Sequence, residues 1–216
     1  MDLNLGEWLV IGLCAFLFVW YLGWNIFNRR RGIATYYWLR RFLGKIGEIS
    51  QAGWLGASSS GARLGVAHGK KPFRQVEASY WLESRELLPL WIIHLLRGRQ
   101  EVVQIQASLQ LTPKYSIEIG RDDDRYFDRL MAQKGYSLGN EPLAENYRIA
   151  WTSSETPADT KELKDFLDDN REVIQRISLR KESPQLQLQA RIKPLLAISP
   201  DTFFDSLQSW LNSLFR

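Results

Sequence analysis

The sequence predicts an α+β protein: a mainly antiparallel sheet packed on helices, carried behind an N-terminal transmembrane helix. Three observations predict it. Residues 9–27, LVIGLCAFLFVWYLGWNIF, are an unbroken apolar run without a charge. Downstream, short stretches alternate apolar and polar residues, the period of a strand with one face buried. From Arg74 to the end these stretches interleave with helical ones in the order βαββα, read twice.

At about 1.5 Å per residue, the apolar run as a helix covers about 28 Å, close to the hydrocarbon thickness of a bilayer. Trp8 and Trp24 stand near its ends, where amphipathic rings favour the headgroup level. The basic residues follow the run and no small-residue cleavage site does, which argues against a signal peptide. Asp2 and Glu7 precede the run, whereas Arg29, Arg30, Arg31, Arg40, Arg41 and Lys45 follow it. That asymmetry predicts a single-pass protein of the cell (inner) membrane, with residues 1–8 outside and the C-terminal domain cytoplasmic.

Residues 28–52 form a basic amphipathic juxtamembrane segment. Tyr36, Leu39, Phe42 or Leu43, Ile46 and Ile49 recur at three- and four-residue steps, with Arg40, Arg41 and Lys45 elsewhere on the wheel. Two arrangements satisfy this pattern. The helix lies in the membrane interface, with Tyr36, Tyr37 and Trp38 in the acyl boundary and its basic residues on anionic headgroups; alternatively the same apolar face packs on the domain, where Gly44 and Gly47 suit close approach.

Residues 53–216 are expected to be the cytoplasmic α+β domain. GWLGASSSGARLG at 53–65 lacks both a GK[ST] ending and dinucleotide-type glycine spacing, so it reads as a turn or hairpin. A strand at Val76–Leu82 leads, through Ser84 as cap, to an apolar helix LLPLWIIHLL that ends before Gly98. A hairpin is then expected: Val103–Leu111 out, a turn at Thr112-Pro113, and Tyr115–Ile119 back. Asp122 opens a helix stopped at Gly135. The second round runs through a strand at Tyr147–Trp151 and a helix from Thr156-Pro157 with Leu163, Phe166 and Leu167 inward. A hairpin across Ser183-Pro184 follows, then a helix from Ser199-Pro200 with Phe203, Phe204, Leu207, Trp210, Leu211 and Leu214 inward. Gln104, Gln106, Gln110, Gln187 and Gln189 fall on the polar face.

Composition narrows the function. The net charge of +4 among 216 residues is less than the juxtamembrane basic cluster alone supplies, so the basicity is local to the membrane end and no nucleic-acid partner is expected. The one cysteine, Cys14, lies in the apolar run, which leaves the domain no disulfide and no thiolate metal site. His68 and His94 are the only histidines, and His94 sits within an apolar helix. Asp122, Asp123 and Asp124 lack the ligand spacing of a calcium loop and suit a helix N-terminus. No nucleophile elbow, HExxH, Walker or kinase pattern occurs. The expectation is a non-enzyme with no catalytic, cofactor-binding or metal-binding residues and no cofactor.

The succession of span, triple arginine, YYWLRRFLGKIGE, KPFRQVEASYWLESREL and WIIHLLRGRQEVVQIQASLQ resembles a group of single-pass bacterial membrane proteins with an RRRG-initiated cytoplasmic domain. That resemblance implies the anchored architecture and no particular activity. More distantly, SRELLPLWIIHLLRGRQEVVQIQASLQLTPKYSIEIG and the order of elements after Asp159 resemble the cytosolic domain of the calumin family, which implies work in membrane-protein insertion. The leading expectation is a non-enzymatic adaptor or accessory subunit of a larger membrane complex, with membrane lipids and integral membrane proteins as partners. Its alternatives are a membrane-biogenesis or insertase-associated factor, and a ligand-binding domain or enzyme at the membrane surface.

Overall fold

The computed structural model describes residues 4–83, 85, 88–96, 100–114, 116–122, 127–128, 137–138, 146–151 and 161–214. Ser84, Gly98, Asp123, Asp124, most of the helix expected after Asp122 and the helix start at Thr156-Pro157 lie outside these residues, as does the side chain of His94.

The first element is one helix, α1 (Leu5–Ile46), 42 residues long. It begins with a capping box: Asn4 Oδ1 accepts from the Glu7 N–H (2.9 Å) and the Glu7 carboxylate accepts from the Asn4 N–H (2.7 Å). No proline interrupts residues 5–46, so the apolar run and the basic amphipathic segment form a single rod. Where this rod enters the domain, Gly32 faces the Ser58 carbonyl so closely that a Cβ would stand 2.0 Å from that oxygen.

Among the described residues nine strands form one sheet: β1 (Gln51–Trp54), β2 (Gly61–Val66), β3 (Phe73–Trp81), β4 (Val102–Leu109), β5 (Ile117–Arg121), β6 (Ser137–Leu138), β7 (Tyr147–Trp151), β8 (Ile174–Leu179) and β9 (Leu186–Arg191). Their order is β1-β2-β3-β4-β9-β8-β5-β7-β6, and every pairing is antiparallel. The glycine-rich 53–65 segment is the β1–β2 hairpin, and the hairpin across Ser183-Pro184 is β8–β9. A short apolar helix, α2 (Leu88–Leu96), stands between β3 and β4 in the chain.

The hairpin expected at Thr112-Pro113 is not formed. β4 pairs with β3 and β9, while β5 pairs with β7 and β8, so the β8–β9 hairpin inserts between them. Residues 110–116 connect β4 to β5. Extended, they reach about 23 Å, more than the roughly 14 Å across three strand spacings. Period-two patterning sets which face of a strand is buried and leaves its neighbour open.

The helices α1 (its C-terminal half), α3 (Lys161–Asp169), α4 (Ile192–Leu195) and α5 (Pro200–Ser213) contribute buried side chains to the core on the sheet's apolar face. One continuous row on that face runs Leu64, Ala78, Ile105, Leu188, Ile177, Ile119 and Ile149, all buried. Val103, Ile105, Leu186 and Leu188 are buried together, so the two halves share one core. On α5, Ser199 Oγ accepts from the Asp201 N–H and Pro200 occupies the first turn. Phe203 meets Trp38 and Phe42 of α1, and Trp210 stacks on Phe166 of α3 at 5.3 Å. The opposite face carries Gln104, Gln106, Gln187 and Gln189, each half-exposed. Gln110 lies beyond β4, its side-chain amide donating to the Phe73 carbonyl.

Candidate membrane-interface site

α1 changes character along its length. Before Trp20 its apolar side chains stand in the open: Leu9, Val10, Phe16, Phe18 and Val19 are all more than half exposed. α1 is the one helix among the described residues that is long and apolar enough to cross a membrane, and none of that apolar window is buried.

The junction with the domain is built of rings and guanidinium groups. Trp20, Trp24 and Phe27 line one side of α1. Trp91, from α2, sits against Trp20 and Trp24 with centroids 5.4 and 5.8 Å away. Trp20 Nε1 donates to the Arg85 carbonyl (3.1 Å), and the Arg85 guanidinium lies over the rings of Trp24 and Phe27 at 5.2 and 5.5 Å. Below it, the almost fully buried carboxylate of Glu101 faces Arg31 (2.5 Å) and Arg85 (3.3 Å) and accepts from the Glu83 N–H (3.0 Å). Asn28 Nδ2 donates to the Glu83 carbonyl, and Tyr80 OH donates to the Gly32 carbonyl (2.6 Å). Burial pushes the Tyr80 hydroxyl well above its usual range, and nearby Tyr36 adds to the shift. Together these contacts tie α1 to β3 and to the segments flanking α2.

Beside this junction lies a groove of about 430 Å³ lined by Phe27, Arg30, Arg31, Lys193 and Leu196. Lys193 comes from α4, far away in sequence, yet it faces the foot of the apolar run. Arg29, Arg30 and Lys193 are exposed, and none makes an ion pair among the described residues. Within the groove Arg30 and Lys193, beside the apolar floor of Phe27 and Leu196, suit a phosphate-bearing amphiphile.

The residues expected at the membrane interface thus divide. Trp8 is exposed near the far end, while Trp24, Arg29 and Arg30 stand at the junction. Arg31 is turned inward on Glu101. Trp38 belongs to the domain core, where its Nε1 donates to the Ile198 carbonyl (2.8 Å). Tyr36 stacks on Trp54 at 4.6 Å, and Tyr37 is exposed. Arg41 and Lys45 both hold Asp201, whose carboxyl is kept below the usual carboxylate range by the Lys45 hydrogen bond first and by Arg41; Arg40 is exposed.

Magnitudes explain the division. Full burial of Leu39, Phe42, Leu43 and Ile46 is worth on the order of 8 kcal/mol, several times the roughly 1 kcal/mol per basic residue from a charged surface. Packing on the domain therefore wins for this face. Along the helix axis Arg40 lies about 20 Å beyond Phe27 and Lys45 about 27 Å. A headgroup layer is only about 7 Å deep, so beside a span ending at Phe27 it would take in Arg29 and Arg30 and would not extend to Lys45.

Sequence reasoning did not single out Trp91, Arg85, Glu101 or Lys193. The one available signal is that residues 87–96 carry no formal charge, which is unusual for a helix covering only one face of a sheet. No known protein family matches the chain, and no curated protein matches it.

Proposed function

We propose that this protein is a single-pass, membrane-anchored adaptor: an accessory subunit whose span docks beside an integral membrane partner and whose domain works on the cytoplasmic side. The observation that carries this reading is the continuity of α1. The same helix is a bare apolar rod at one end and a core element of the sheet domain at the other. A tether needs only a flexible connection. Here the connection is a helix clamped by Tyr80, Glu101 and Asn28, which holds the domain at a set height and rotation relative to the span.

Rigid coupling of this kind suits a part that must register with another. The exposed rings of Phe16, Phe18 and Tyr21 supply contact area at low entropy cost, and helix association in a bilayer depends on such packing. Gly12 and Gly23 have no atom within 4 Å of a Cβ position, so a partner helix can approach there. Arg29, Arg30 and Lys193 fix the depth by binding anionic headgroups, and their position sets the domain inside.

Replacing residues 9–27 by a polyleucine span of equal length tests the reading. Mild-detergent purification of the altered protein is expected to lose its membrane partner while the domain remains folded. Recovery of the same partner in full would reject lateral docking and leave the span as an inert anchor. Recovery of translocation machinery with the unaltered protein would instead favour a role in membrane-protein biogenesis.

A further inference from the structure

We propose that α2 is a second, non-crossing membrane contact, lying against the arginine end of the span and burying Ile92, Ile93 and Leu96 in the acyl boundary of that leaflet. The proposal rests on reading α1 as a span.

Four observations converge on it. First, α2 carries large apolar side chains that the domain does not cover: Ile92 is 41 %, Ile93 43 % and Leu96 81 % exposed. Left in water these would cost about 25 cal/mol for every Å² of apolar surface. Second, its place is set by the span itself, because Trp91 packs on both Trp20 and Trp24. Those two residues lie about 5–10 Å inside Phe27 along the helix axis, which is the depth at which interfacial helices bury their apolar faces. Third, nine residues of helix are about 14 Å long, less than half of a hydrocarbon core of about 30 Å, so α2 cannot cross. Fourth, the sequence just after α2 is basic, with Arg97 and Arg99, whereas before it Arg85 stands between Glu83 and Glu86. Basic residues directly after the helix suit a C-terminal end that returns to a headgroup layer.

The polar atoms at this depth are provided for. The Arg85 carbonyl accepts from Trp20 Nε1, and its guanidinium rests on the faces of Trp24 and Phe27 with Glu101 behind it. The Arg85 charge is thus met by a carboxylate and two ring faces and is not left unpaired at this depth. The domain would then touch the bilayer at two points, the span and α2, and could not rotate about the axis of α1.

Site-directed spin labelling of the full chain in lipid nanodiscs tests the proposal. In a Cys14→Ala background, single cysteines are placed by Ile92→Cys, Ile93→Cys and Leu96→Cys, with Phe18→Cys as the reference for lipid and Gln106→Cys as the reference for water. All five replaced side chains are at least partly exposed, so folding is preserved. The expected result is oxygen collision several-fold above that with a soluble nickel chelate at 92, 93 and 96, as at 18. Nickel-dominated collision at these three positions, with 18 still lipid-like, would overturn the proposal and leave the span intact. Protection from both reagents would also overturn it, by showing a protein neighbour on α2. Water-like behaviour at 18 as well would refute the span and the proposal together.

Discussion

Glu101 shows how much one side chain can organise. It is a buried carboxylate facing Arg31 and Arg85, which arrive from opposite sides of the junction. Removing one member of such a set leaves the others buried without compensation. Glu101→Gln is expected to destabilise the domain by about 3 kcal/mol, measured by denaturant titration in detergent. Tyr80→Phe removes the hydroxyl that donates to the Gly32 carbonyl and should cost about 1 kcal/mol in the same assay. Two titrations have definite signs. The Asp201 carboxyl is lowered on folding, so its contribution is complete above the ordinary aspartate value of about 3.9 and disappears as pH falls through the lowered value. A pH series on Asp201→Asn should therefore lose part of the acid limb of the stability curve and leave neutral pH nearly unchanged. The Tyr80 hydroxyl is raised, so its contribution is complete below about pH 10 and disappears as pH climbs toward the raised value.

Among the elements, α1 carries the most information. Its spacing of Leu39, Phe42, Leu43 and Ile46 shows a face to be buried and is silent about what buries it, since lipid and a sheet both accept leucine and phenylalanine. Phe203 and the floor of β2 decide the matter by shape. The helix crosses the Ala57–Ser60 turn only because Gly32 has no side chain at the Ser58 carbonyl. Gly32→Ala should cost about 3 kcal/mol, visible as a lowered thermal midpoint, even though alanine is the better helix former. α2 teaches the complementary lesson. Its apolar run resembles that of a core helix, and its exposed Ile92, Ile93 and Leu96 become visible only when its position beside Trp20 and Trp24 is known.

Over the whole molecule, the order β4-β9-β8-β5 joins the two halves of the domain into one sheet. Leu188 sits in that central row between Ile105 and Ile177. Leu188→Ala should cost about 3 kcal/mol. Probes placed in β2 and in β7 should report the same shifted unfolding midpoint, because both strands share one core. Two separate midpoints would show that the halves unfold independently. On the proposed anchoring, a reporter fused after Arg216 should score as cytoplasmic, and an external score would reverse the orientation drawn from Arg29, Arg30 and Arg31.

The sequence by itself determined the apolar rod, the α+β class, most strand positions, the polar glutamine face and the inward residues of α3 and α5. These follow from local rules: length against bilayer thickness, period two or 3.6, and a cap such as Ser199. Only the tertiary structure decided that α1 runs unbroken into the core, that β8 and β9 separate β4 from β5, and that Trp91, Arg85, Glu101 and Lys193 gather at the foot of the apolar run. The reason is that periodicity records which side of an element avoids water. The choice of neighbour depends on the shape and charge of segments far away in the chain, and no local pattern encodes it.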